Sequence, residues 1–165
     1  MTFLAKGRSA TARYKDPAFE QALQGLRRGS LITESTLLSF SGMPKAHLEL
    51  AARDVARRLG RSLVRIDLSR IVSKYIGETE KNLDRLLREA EAIGAILLFD
   101  EADALFGRGT EVKDAHDRYA NLETSYLLAR LEQHRGLIIA TFNRVAEAEK
   151  PRSRMRQLAV RFPPH

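Results

Sequence analysis

Ala95-Ile96-Leu97-Leu98-Phe99-Asp100-Glu101 is the stretch on which the fold is decided. Five consecutive apolar residues followed by two acids predict a strand buried on both faces, of the kind found at the centre of a parallel sheet. Reading upstream, Glu78–Ile93 has helical spacing, with Leu83, Leu86, Leu87 and Ala90 at i, i+3, i+4 and i+7. Ser62–Leu68 reads as a strand, Ala46–Leu59 as a helix ended by Gly60, and Thr36–Phe40 as the strand before it. Pro17–Leu26 adds a short helix with Phe19, Leu23 and Leu26 on one face, closed by Gly29. Downstream, Asp114–Gln133 predicts a long helix whose Ala115, Tyr119, Leu122, Tyr126 and Ala129 share a face. Gly136–Phe142 and Leu158–Phe162 complete the strands. Strands alternating with helices of about 10–20 residues imply βαβ units: an α/β fold with a parallel sheet of about five strands and helices on both faces.

The chain has 165 residues, enough for one well-cored domain. Its longest apolar run is the five residues above, against the roughly 20 that a membrane-spanning helix needs, so no membrane partner is expected. Having no cysteine, it forms no disulfide, thiolate metal site or cysteine nucleophile. With no secretory leader, an intracellular, cytoplasmic location is expected. The net charge is +7, but residues 1–16 carry +3 and residues 150–165 carry +5, which leaves −1 for 17–149. A nucleic-acid-binding domain more often carries a basic stripe on the fold itself, so direct nucleic-acid binding is not expected. Residues 1–16 read as a disordered basic arm and 17–165 as the core.

In an open parallel sheet, ligands bind beyond the carboxyl ends of the strands. Asp100-Glu101 follows one such end. Two adjacent carboxylates after a dry strand are costly unless they hold a cation or activate a water. Apolar residues followed by Asp-Glu make a Walker B pattern, in which Asp100 orders Mg²⁺ and Glu101 polarises an attacking water. Asn143 follows the strand ending at Phe142 and is placed to orient that water or a γ-phosphate. Ser41-Gly42-Met43-Pro44-Lys45-Ala46-His47 stands between the first strand and its helix, where a phosphate loop belongs.

Three segments carry a resemblance: Ser73-Lys74-Tyr75-Ile76-Gly77-Glu78-Thr79-Glu80-Lys81-Asn82-Leu83, Leu97–Gly107, and Asp114-Ala115-His116-Asp117-Arg118-Tyr119-Ala120-Asn121. With them the chain resembles an AAA+ ATPase of the classical clade, which implies a three-layer P-loop NTPase-like fold and ATP with Mg²⁺ as ligands. The resemblance further implies that Asp100 and Glu101 are the Walker B acids and Asn143 is sensor 1. It makes Tyr75 and Ile76 a pore loop gripping a polypeptide in a hexamer, on an exposed turn. Arg154 and Arg156 match arginines that reach a neighbouring subunit's nucleotide, and they are expected at the edge of the cleft, facing outward.

The sequence departs from the family at two places. Laid without gaps on Gly-x-x-x-x-Gly-Lys-Thr, Gly42 takes the first glycine's place, with Met43, Pro44, Lys45 and Ala46 between. His47 then replaces the second glycine, Leu48 the lysine and Glu49 the threonine. Across Gly42–Glu49 nucleotide binding is therefore expected to be weak or lost, and repair to need His47→Gly, Leu48→Lys and Glu49→Thr together. The family's helical lid is expected to be absent, since the chain stops at His165. Two main readings stand: a pseudo-ATPase, or a working ATPase completed by another AAA+ subunit in a homo- or hetero-oligomer. A third is a fragment with no role of its own.

Overall fold

The computed structural model describes residues 2–4, 16–28, 34–67, 78–107, 125–151 and 153–163. In chain order these form β1 (Thr2–Leu4), α1 (Pro17–Arg28), β2 (Ser35–Ser41), α2 (Lys45–Leu59), β3 (Leu63–Ile66) and α3 (Glu78–Ile93). There follow β4 (Ile96–Phe99), α4 (Asp103–Phe106), a helix α5 described over 125–132, β5 (Gly136–Thr141), α6 (Val145–Glu149) and β6 (Arg156–Arg161). The sheet has the order β1-β3-β4-β5-β2-β6, parallel throughout except for β1, which pairs antiparallel with β3.

The five predicted parallel strands are present, and α3 has the bounds its periodicity gives it. Residues 114–124 of the predicted long helix, and Gly29, lie outside the described residues. One expectation is corrected: Thr2–Leu4, assigned to a disordered arm, form an edge strand in register with Leu63–Arg65. Three residues give too short a period to read as a strand beside the basic residues that follow. The two short helices α4 and α6 were also not anticipated; at four and five residues neither spans two helical turns.

Alternation along β4 divides the core. Ile96 and Leu98 join one buried cluster, Leu97 and Phe99 the other, and all four are at most 1% exposed. The first cluster takes Phe19, Leu23 and Leu26 of α1 and Leu48, Ala51, Ala52 and Val55 of α2. The second takes Leu83, Leu87 and Ala90 of α3, Leu127, Leu128 and Leu131 of α5, and Ala148 of α6. Helices therefore cover both faces, as the dry central strand requires. Asp16 accepts the Phe19 N–H at 3.0 Å with Pro17 in the first helical position, which fixes where α1 starts. Gly60 (φ 66°) and Gly94 (φ 64°) close α2 and α3 in the left-handed conformation. In each case the next residue's N–H returns five positions, Arg61 to Ala56 O and Ala95 to Ala90 O, both at 2.9 Å.

After β2 the chain leaves to the α2 face, and after the neighbouring β5 it leaves to the α6 face. The adjacent carboxyl ends of β2 and β5 thus form the switch point where an open α/β sheet receives ligands.

Candidate functional site

Around that switch point lie the turn after β2, the Asp100-Glu101 turn after β4, and the end of β5. The turn after β2 is short: Gly42, Met43 and Pro44 alone separate Ser41 from the first residue of α2. Gly42 has φ 96°, and a Cβ there would stand 2.2 Å from Phe162 O, so this glycine admits the backbone after β6. Phe162 N–H donates to Ser41 O at 2.9 Å beside it. Pro44 caps α2, its carbonyl accepting from His47 and Leu48 N–H. Met43 packs on the core, and Ala46 and His47 are exposed on the first turn.

This geometry corrects the ungapped count. His47, Leu48 and Glu49 are helical, and no loop exists there to repair by substitution. Leu48 is 2% exposed in the core, facing away from any phosphate. Lys45 is the lysine that faces the cleft, with Nζ 3.8 Å from Glu101 Oε1. It follows Gly42 by three positions where the phosphate-loop pattern has six, and Ala46 follows it where the pattern has a hydroxyl. Counted from Gly42 to Lys45, the stretch is three residues shorter than the pattern.

Asp100 and Glu101 are held from β5. Thr141 Oγ1 accepts the Glu101 N–H at 3.0 Å and its hydroxyl donates to Asp100 Oδ1 at 3.3 Å. Ala102 N–H donates to Thr141 O at 2.8 Å. Among the described residues Glu101 is the only non-glycine with positive φ (51°), a conformation costing on the order of 1–2 kcal/mol. Its side chain is 56% exposed toward the cleft. Asn143 is exposed, its N–H accepted by Asp103 Oδ1 at 2.9 Å, while Asp103 Oδ2 accepts Arg144 N–H at 2.9 Å.

The Asp100 side chain is 8% exposed on a residue of intermediate burial, and Arg65 of β3 meets it, Nη2 to Oδ2 at 2.6 Å. Arg65 Nη1 lies 3.9 Å from Glu49 Oε2, and Glu49 also pairs with Arg53 at 2.9 Å. Burial pushes the Asp100 carboxyl up from its ordinary value, against the pull of Arg65; Glu49 adds to the push, Lys45 and Thr141 to the pull. Mg²⁺ does not fit beside Arg65 as it stands: Thr141 donates to one Asp100 oxygen, and the guanidinium is 2.6 Å from the other, a buried oxygen that it meets as an ion pair without a hydrogen bond.

Sequence reading missed Arg65 and the anchoring role of Thr141. An arginine inside the apolar strand Leu63–Ile66 was the available signal. Tyr75 and Ile76 lie outside the described residues. Arg154 and Arg156 are exposed, but Arg156 pairs with Thr36 at the amino end of the sheet. They are not at the edge of the chain's own cleft, which corrects that expectation: in parallel strands, residues entering a strand stand at the opposite end from residues leaving one.

A parallel sheet covered on both faces, with Asp-Glu after its dry central strand and a lysine at the helix start above it, defines a P-loop NTPase-like α/β protein. The model of the ATPase family associated with various cellular activities (AAA) matches residues 49–163, and the chain belongs to that family. The match begins at Glu49, after the shortened loop. The chain is 34% identical over 119 residues to an uncharacterised AAA family ATPase, y4kL, of Sinorhizobium fredii, covering 72% of this chain and 36% of that one. It is 35% identical over 108 residues to a proteasome-activating nucleotidase of Methanococcus vannielii, covering 62% and 26%. To a cell division cycle protein 48 homologue of Archaeoglobus fulgidus it is 29% identical over 76 residues, covering 46% and 10%. The chain thus spans about a third or less of the length of these relatives. Family membership brings nucleotide and Mg²⁺ as the group's general ligands. No helix among the described residues is long and apolar enough to cross a membrane.

Proposed function

We propose that this chain is an AAA-family subunit that binds ATP weakly and does not hydrolyse it unaided, acting within a ring of AAA subunits on a polypeptide substrate. The turn Gly42–Pro44 carries the reading: it is too short to wrap a polyphosphate in backbone N–H groups, and α2 starts where that wrapping would begin. Calorimetric titration with Mg²⁺–ATP is expected to give a Kd above ~100 µM, the lost loop contacts amounting to roughly 10- to 100-fold. A low-micromolar Kd would falsify it.

A second reading, an ATPase completed by another subunit, is favoured by Lys45, Asp100, Glu101 and Asn143 standing around one cleft. Under it, mixing with an active AAA homologue raises this chain's nucleotide affinity, and Glu101→Gln lowers the mixture's ATPase rate. A mixture indifferent to Glu101→Gln leaves the first reading. Arg154 and Arg156, exposed and far from the chain's own cleft, suit donation to a neighbour's phosphates. If Arg154→Ala stimulates the homologue as well as the unmodified chain does, these arginines are not donors.

A further inference from the structure

We infer that Arg65 is the resident counter-cation of Asp100, a guanidinium standing where a divalent metal would stand, so that the cleft holds a divalent-cation site masked from within. The inference rests on the same reading of the cleft, as one that does not load Mg²⁺–ATP in the family's manner. Three observations carry it. The Asp100 side chain is 8% exposed, and a carboxylate buried to that degree keeps its charge only with a close partner. Arg65 supplies that partner at 2.6 Å, reaching across from the next strand of the sheet. The same guanidinium lies 3.9 Å from Glu49, so one cation stands between carboxylates of β4 and α2. Glu101, on the adjoining residue, is drawn instead to Lys45.

A structural ion pair on the surface would behave differently: removing its arginine would leave two solvated acids and no new affinity. Here removal leaves the Asp100 side chain buried without its close cation, and Glu49 with Arg53 as its remaining partner. Arg65→Gln takes away the charge and keeps much of the bulk.

The test is Mn²⁺ titration followed by electron paramagnetic resonance, without nucleotide, so this inference and weak ATP binding can fail separately. The unmodified chain is expected to show no saturable site at millimolar Mn²⁺. Arg65→Gln is expected to gain a saturable site at least about tenfold tighter, from the removal of one adjacent positive charge. Arg65→Gln/Asp100→Asn should lose it again. Arg88→Gln, which removes the same charge from the exposed side of α3, should match the unmodified chain. Equal Mn²⁺ binding by the unmodified chain and Arg65→Gln, or no gain in Arg65→Gln, overturns the inference. Should Arg65→Gln fail to fold in metal-free buffer, recovery on adding Mn²⁺ supports the inference and failure to recover overturns it.

Discussion

Leu48 and Lys45 share the first turns of α2 and point to opposite surroundings. Leu48 sits in the cluster with Phe40, Ala52 and Phe162, so Leu48→Lys buries an ammonium with no acid beside it. That substitution is expected to destabilise the chain by about 3 kcal/mol or more, read as a lowered urea midpoint, with no gain in ATP affinity. Lys45→Ala removes a half-exposed side chain and should change stability by under about 0.5 kcal/mol. It should nonetheless lower any residual ATP affinity about tenfold in calorimetry, since a charge-assisted phosphate contact is lost. Unchanged affinity would remove Lys45 from the site. Thr141 carries the other half of the cleft. Thr141→Val strands the Glu101 N–H and one Asp100 oxygen and should cost about 1–3 kcal/mol, whereas Thr141→Ser keeps the hydroxyl and most of the stability. Matching urea midpoints for the two variants would show that the hydroxyl does not carry the effect.

Two glycines with positive φ, Gly42 (96°) and Gly60 (66°), serve different elements, and substitution separates them. Gly60 ends α2 in open space, so Gly60→Ala should cost about 1 kcal/mol, the left-handed strain alone. Gly42→Ala adds a Cβ 2.2 Å from Phe162 O and must push the end of β6 off β2. It should cost clearly more than Gly60→Ala and disturb the Phe19–Phe40–Phe162 ring cluster, visible in near-ultraviolet circular dichroism. Equal costs would mean that β6 yields freely. The same elements explain what sequence could and could not tell. The bounds of α3 were readable because Leu83, Leu86, Leu87 and Ala90 set its period and the chain needs a left-handed residue, Gly94, to leave it. The start of α2 was not, because counting along Gly-x-x-x-x-Gly-Lys assumes the loop's length. A turn three residues shorter than the pattern shifts every later residue off such a count, and Lys45 at the start of α2 is passed over. Pro44-Lys45 was the local sign of a helix start that such a count overrides. Asp100 and Glu101 were legible because two acids after a dry strand are costly. Arg65 was not, since its partner lies on another strand and only the register brings them together.

At the scale of the whole molecule, stability should depend on pH through His134, which is fully buried before β5. Its Nδ1 lies 3.2 Å from Glu91 Oε1 and Arg130 stands near; burial pulls its pKa below the free value of 6.5, against the upward pull of Glu91. A depressed imidazole pKa means that the unfolded chain takes up the proton first. Stability is therefore kept above about pH 6.5 and lost as pH falls below it, at no more than about 1.4 kcal/mol per pH unit for one proton. Melting temperatures from pH 7.5 to 5.5 should fall for the unmodified chain and fall less steeply for His134→Gln. Parallel slopes would assign the acid sensitivity elsewhere. The strand order has a bearing on how the protein can be watched. β1 and β6 are the two outermost strands, so the first and last strands of the chain lie five strand spacings apart, about 24 Å across the sheet. A donor dye near Thr2 and an acceptor near Pro163 would act as a caliper for the full width of the sheet. Because β1 joins only through β3, its departure would change that reading while the circular dichroism of the helices held steady, distinguishing a loosened margin from a lost fold.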